Sequence, residues 1–292
     1  MAVDGHVHIH PCFDVAALLE FALTNFQQNF SESSPGSSQP FATSNSGSKV
    51  AFLLALSESQ GQNAFAHLRS HNQSQNKLFL KNWQISSTRE SESLRACPTD
   101  RTNRTDSQSF EPIESIYILA GRQIVTSEGL EVLALATDCA FIEGRSTADT
   151  IQAVLSKGGI PVIPWGFGKW LGKRGQWLSA LLRSPHPNLC LADSGSRPVF
   201  WPEPALLQQA SAQGLSVLSG TDPFPFRSET KLVGRSGFTI TGAFDPSRPA
   251  ASLRQALSGA ASPTRYGSQE TPFRCLRNQL AMQFIKRFRS QA

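Results

Sequence analysis

The chain has 292 residues, of which 39% are hydrophobic, 9% aromatic and 17% charged, enough apolar material for a sizeable core and too much for global disorder. Its formal charge is +5 and its pI about 9.1, a mild basicity that suits a small anionic substrate and falls short of a nucleic-acid binder's footprint. No run approaches the ~18 apolar residues of a membrane helix, and five widely spaced cysteines without a CxxC pair argue against a disulfide scaffold or zinc-finger array.

Residues 2–10 alternate apolar and polar side chains with period 2 and stop at Pro11, the pattern of a strand. Asp14 can cap a helix whose apolar face is Leu18, Leu19, Phe21, Ala22 and Phe26. Residues 31–48 are a low-complexity run of Ser, Gly, Pro, Gln and Asn, expected as a flexible loop. A buried strand over 49–56 and a short helix carrying His67 and His71 follow, then a second polar stretch at 86–110, read as another long loop. Beyond residue 112 the spacing predicts strands at 115–121, 130–136, 160–165, 189–193 and 215–220. It predicts helices at Thr147–Ser156, 175–182, 203–212, 250–257 and 273–288. Strands alternating with helices imply parallel βαβ units, here in a single domain over 1–292. With no charged-then-apolar leader in view, the expectation is a cytoplasmic protein with reduced thiols.

Three segments carry candidate chemistry. In Asp4-Gly-His6-Val-His8-Ile-His10, residues two apart on a strand face the same way, so His6 and His8 can share one divalent ion. The plainer alternative is an edge strand showing polar side chains to water. In Leu218-Ser-Gly-Thr-Asp222, an apolar strand delivers a carboxylate at its carboxyl end, where α/β sites form. Asp222 can ligate a metal or take a proton from water, or merely cap a turn before Pro223. In the Gly-rich run 165–175, Lys169, Lys173 and Arg174 can draw a phosphate or carboxylate, though neither Walker nor Rossmann spacing is met. Arg122 can clamp the same kind of group, and Asp193 can face the site or serve a turn. In the last helix Leu276, Leu280, Phe284 and Phe288 form a stripe among Arg274, Arg277, Lys286, Arg287 and Arg289. It can meet a membrane or an acidic partner, but packing against a barrel is the commoner use of such a stripe.

The order of these motifs resembles the PHP (polymerase and histidinol phosphatase) superfamily and, more distantly, the amidohydrolases. The resemblance implies a distorted β/α barrel, bound metal ions and phosphoester hydrolysis. His6 and His8 fall on its HxH pair, Asp14 on a following acidic position and Asp222 on its closing aspartate. Elsewhere the sequence departs from it: Gln123 stands in place of a glutamate, Glu131 in place of a histidine, and Trp165 and Phe224 in place of further histidines. The implied reading is a metal-dependent phosphoesterase with one divalent ion (Zn, Mn or Fe) on His6, His8, Asp222 and Glu131. Asp222 and Glu131 would be catalytic, and Arg122, Gln123, Trp165, Lys169, Lys173, Arg174 and Asp193 would line the substrate. The alternative is a degenerate, metal-free binding or scaffold protein of the same fold.

Overall fold

The computed structural model describes residues 1–30, 50–73, 78–99, 115–184, 186, 188–259 and 261–289. In chain order these form β1 (Ala2–Val7), α1 (Val15–Phe30), β2 (Phe52–Leu56), α2 (Ala64–Gln73), β3 (Leu78–Leu80), β4 (Trp83–Ser87), β5 (Ser93–Pro98), β6 (Ile116–Leu119), β7 (Gly121–Val125), β8 (Glu131–Leu135), α3 (Thr147–Ser156), β9 (Ile160–Pro164), α4 (Lys173–Leu181), β10 (Cys190–Ser194), α5 (Ala205–Ala212) and β11 (Val217–Gly220). A 3-10 turn (Arg227–Leu232) then leads to β12 (Gly237–Thr239), α6 (Pro249–Ser258), β13 (Thr264–Tyr266) and α7 (Pro272–Arg289).

The strands make two mixed sheets, of order β13-β12-β1-β2-β6-β5-β4-β3 and β11-β10-β9-β8-β7. Strand β2 shows how they stack. Phe52, Leu54 and Leu56 pack toward α1, whose Leu18, Leu19, Ala22 and Phe26 are buried against them. Leu53 and Ala55 point the other way, into a layer shared with Leu133, Leu135, Val162 and Leu218 of the second sheet. Both faces of β2 are dry, so it reads as an unbroken apolar run. The outer face of the second sheet (Val132, Ile163, Leu191) is covered by Ile151 and Val154 of α3, Leu178 of α4 and Leu207 of α5. The layers therefore run helix, sheet, sheet, helix.

The expected distorted β/α barrel is not what forms: the sheets are open and neither closes on itself. A ring of parallel strands needs parallel neighbours on both edges of every strand. Here β12 pairs antiparallel with β1 (Ala2 opposite Thr239), β5, β4 and β3 extend the far side as an antiparallel meander, and β8 runs antiparallel to both its neighbours, β7 and β9. The polar stretch beginning at 86 is also corrected. It starts within β4 and contains β5, with Trp83, Ile85, Leu94 and Ala96 buried on one face. Residues 31–48 and 100–110 lie outside the described residues.

Two joints hold the sheets together at the site. The Asp222 N–H donates to the His6 carbonyl at 2.8 Å, tying the end of β11 to β1. The Gln123 N–H donates to the Glu58 carbonyl at 2.9 Å, tying β7 to the segment after β2. At the first joint only glycine fits, since a Cβ on Gly220 would stand 2.2 Å from the His6 nitrogen.

Candidate metal centre

His6 and His8 leave the end of β1 on one face, as period-2 spacing requires. Their Nε2 atoms lie 3.1 Å apart, and both side chains are buried. Asp222 follows β11 and turns its Oδ1 to the same point, 3.6 Å from His6 Nε2 and 3.8 Å from His8 Nε2. Three sides of 3.1, 3.6 and 3.8 Å place the point equidistant from all three donors about 2 Å from each, which is a Zn–N bond length. His6, His8 and Asp222 thus form a cluster able to hold a divalent metal ion. Two imidazole nitrogens and one carboxylate oxygen are a donor set that Zn, Fe and Mn all accept.

The electrostatics agree. Burial, followed by the nearby His6, pushes the His8 imidazole down to about 3, so it is neutral and offers a lone pair. His8 Nδ1 is buried without a hydrogen-bond partner. Burial works against ionisation of Asp222, but His6, Lys169 and the Ser194 hydroxyl among its neighbours outweigh it and hold the carboxyl below its ordinary range. Ser194 Oγ donates to Asp222 Oδ2 at 3.3 Å, leaving Oδ1 for the cluster.

Asp222 adopts a left-handed backbone, with φ of 49°, a conformation that costs an aspartate energy and persists only where its surroundings enforce it. Asp4, on the same strand as His6, supplies the enforcement. Its carboxylate accepts the N–H groups of Thr221 (2.7 Å), Gly234 (2.8 Å) and His6 (3.4 Å), and also the Thr221 hydroxyl. Burial raises the Asp4 carboxyl to about 6 despite these bonds. Asp4 and Ser194 were not singled out from the sequence. The signal for Asp4 was its place two residues before His6 on one strand face; Ser194 carries none.

His10 stands beside the cluster. Its ring stacks on His8 at 5.4 Å, and its Nε2 donates to the Pro223 carbonyl at 2.9 Å. Glu131, at the start of β8, is outside the cluster, with both carboxylate oxygens 2.5 Å from Lys169 Nζ. Lys169 thereby sits between Glu131 and the field of Asp222. The other sequence-derived residues face different partners. Arg122 pairs with buried Glu58 at 3.0 Å and donates to the Gln62 carbonyl at 2.7 Å. Gln123 contributes its backbone to the second joint. Arg174 donates to the Gly168 carbonyl at 3.1 Å, closing the Gly-rich loop, while Lys173 is exposed at the start of α4. Trp165 is buried with its ring 6.2 Å from Trp201. Asp193 accepts a bidentate pair from Arg197 (2.8 and 2.7 Å) and a further bond from Arg265 (3.2 Å). Asp14 caps α1 and pairs with Lys81. His67 is exposed on α2, and the side chain of His71 is outside the described set.

A cavity of about 880 Å³ lies away from this chemistry, at the amino ends of β9 and β10 near Ile160, Cys190 and Leu215. A second cleft of about 710 Å³ runs past Ser194, Arg197, Trp201 and Arg265, and so begins one hydrogen bond from Asp222. Among the described residues no helix is long and apolar enough to cross a membrane.

No protein-family model matches the chain, and no curated protein matches it in sequence. Among solved structures, PsfC from Pseudomonas syringae PB-5123 superposes with a TM-score of 0.53 at 14% identity, over 97% of this chain and 98% of PsfC. At that identity the likeness is one of fold alone.

Proposed function

We propose that the protein is a metal-dependent hydrolase acting on a phosphoester. The observation that carries the reading is the convergence of His6 Nε2, His8 Nε2 and Asp222 Oδ1 on one point at metal-bond distance. Three protein ligands leave a coordination position open, the arrangement of catalytic rather than structural sites. A Zn, Mn or Fe ion held there supplies Lewis-acid chemistry and acidifies water. The resemblance of the motif order to the PHP superfamily supports phosphate as the reacting group.

The chain's own residues divide the remaining work. His8 is neutral by burial and presents a lone pair, and His6 shares its face with Nε2 3.1 Å away. Asp222 is kept ionised and aimed by Ser194 and the Asp4–Thr221 clamp. Lys169 offers an ammonium to an anionic substrate. Glu131, 2.5 Å from that ammonium, orients it and accepts a proton from the reacting side rather than completing the ligand set. Lys173, exposed at the start of α4, adds positive charge after the Gly-rich loop, and the Ser194 cleft, reaching Asp193, holds the rest of the substrate. Free thiols at all five cysteines suit a reducing compartment such as the cytoplasm.

A second reading, a metal-binding or scaffold protein without turnover, is favoured by Trp165 and Phe224, aromatic residues where the family it resembles has ligands. Elemental analysis separates the outcomes. Purified wild type carries bound Zn, Mn or Fe, and a His6→Ala, His8→Ala double variant carries none. Metal in the wild type no higher than in the variant overturns the proposal. Bound metal with no hydrolysis across an aryl and alkyl phosphoester panel selects the second reading.

A further inference from the structure

The last helix turns its apolar stripe outward, against the expectation that it packs. Phe273, Leu276 and Leu280 are 77, 61 and 62% exposed, and Phe284 extends the row at 66%. Polar contacts set this orientation. Glu229 is buried and accepts from Arg274 (2.7 Å), Arg277 (3.4 Å) and Asn278 (3.3 Å), which brings the opposite face of α7, with buried Cys275 and Asn278, onto the body. Glu270 also pairs with Arg274 at 3.2 Å. A helix docked through these four polar contacts on one face is held against rolling its stripe inward. The patch continues at the helix start. Val199 and Phe200, 56 and 62% exposed, sit on a loop bridged to Glu270, with the Val199 N–H donating to the Glu270 carbonyl at 2.9 Å.

Charge narrows what can cover this face. Helix α7 contains five Lys and Arg residues and no Asp or Glu, and three of the five fall in its last turn, at Lys286, Arg287 and Arg289. A second copy laid parallel on the stripe would set these clusters side by side. Laid antiparallel, it would bring them to a helix start whose carboxylates, Glu229 and Glu270, are buried and already paired. The stripe is also small. Even with Val199 and Phe200 the patch exposes on the order of 700 Å², against ~800 Å² per partner in a stable protein interface. An anionic lipid surface meets both conditions at once. It takes an apolar row into the acyl boundary along the ~27 Å of the helix, and it presents phosphates to the basic end.

We propose that α7 lies in the plane of an anionic membrane surface, with Phe273, Leu276 and Leu280 inserted and the basic carboxyl end of the helix at the level of the lipid phosphates. The helix anchors the protein to the surface without crossing it.

The test is co-sedimentation of the full chain with phosphatidylcholine vesicles made with and without phosphatidylserine. Binding is expected only with phosphatidylserine and weakens with added salt. A Leu276→Gln, Leu280→Gln variant changes exposed positions, so its thermal unfolding should match the wild type while its vesicle affinity drops at least ~10-fold. Absence of binding to the anionic vesicles overturns the proposal, as does an unchanged affinity in the double variant. Concentration-dependent self-association of the wild type that the same substitutions abolish would assign the face to a second copy instead.

Discussion

Asp4 accepts hydrogen bonds from both the backbone N–H and the hydroxyl of Thr221, a residue 217 positions away in the chain. The pair joins the strand that carries His6 to the turn that carries Asp222. It is therefore the mechanical link between the two halves of the metal cluster.

Asp4→Asn keeps the size of the side chain but replaces one acceptor oxygen with a donor, so the three N–H groups and the Thr221 hydroxyl cannot all be satisfied. Asp222 should lose its enforced left-handed backbone. Divalent-metal affinity, measured by competition with a chromophoric chelator, is expected to fall ~10–100-fold. Unchanged affinity would show that Asp222 holds its place without the clamp.

Gly220→Ala puts a methyl group 2.2 Å from the His6 backbone nitrogen, and backbone cannot yield as a flexible side chain can. Urea unfolding should show a loss of at least ~1–3 kcal/mol, with metal uptake reduced in parallel. A variant as stable as the wild type would mean that the joint between β1 and β11 is looser than described.

Lys169→Met removes the ammonium between Glu131 and Asp222 while keeping the stem that runs over Gly166. If Lys169 binds the anionic substrate, KM for a phosphoester should rise ~10–100-fold, the cost of a charge-assisted hydrogen bond. Metal content should stay at wild-type level, because Lys169 is no ligand. Loss of metal with unchanged KM would refute this role.

Two titrations test the surrounding framework. Burial would raise the Glu128 carboxyl, but bonds from its own amide and from the Thr147 N–H and hydroxyl (both 2.9 Å) outweigh it and hold the group below its ordinary range. A carboxylate with a depressed folded value stabilises above the unfolded pKa of about 4.5 and loses that contribution as pH falls. The difference in Tm between wild type and Glu128→Gln should accordingly shrink as pH falls from about 6 to about 3. Cys190 gives the second test. Burial pushes its thiol up to about 12, so iodoacetamide at mildly alkaline pH should leave it unlabelled in the folded protein while Cys12, Cys97 and Cys139, all partly exposed, react. Labelling of Cys190 at the same rate as these three would contradict its place in the core.

Local interactions made several features legible. Thr147–Ser156 is helical over the range its pattern indicates because Ser146 accepts from the Asp149 N–H at 3.1 Å, a contact within one turn. The hydrophobic alternation of Trp83, Ile85, Leu94 and Ala96 is equally present in the sequence, but the polar residues around Leu94 and Ala96 mask it, so that the loop expected over 86–110 takes in the end of β4 and all of β5. The barrel expectation fails for a different reason. Strands separated by helices suggest parallel neighbours, yet whether a strand meets its partner head to head or head to tail depends on residues far apart in sequence. A turn in which the Thr126 N–H donates to the Leu130 carbonyl at 2.9 Å reverses β7 into β8, and β12 reaches β1 from more than two hundred residues away.

The amino-acid order alone determined that two imidazoles share a face, because a strand's geometry repeats every second residue, and that the last helix is both apolar and basic. Tertiary structure decided which carboxylate joins those imidazoles and which side of the helix meets solvent. Both depend on buried acids, Asp4 for the first and Glu229 for the second, whose desolvation is offset only when distant donors close around them. No local pattern specifies where such donors will come from.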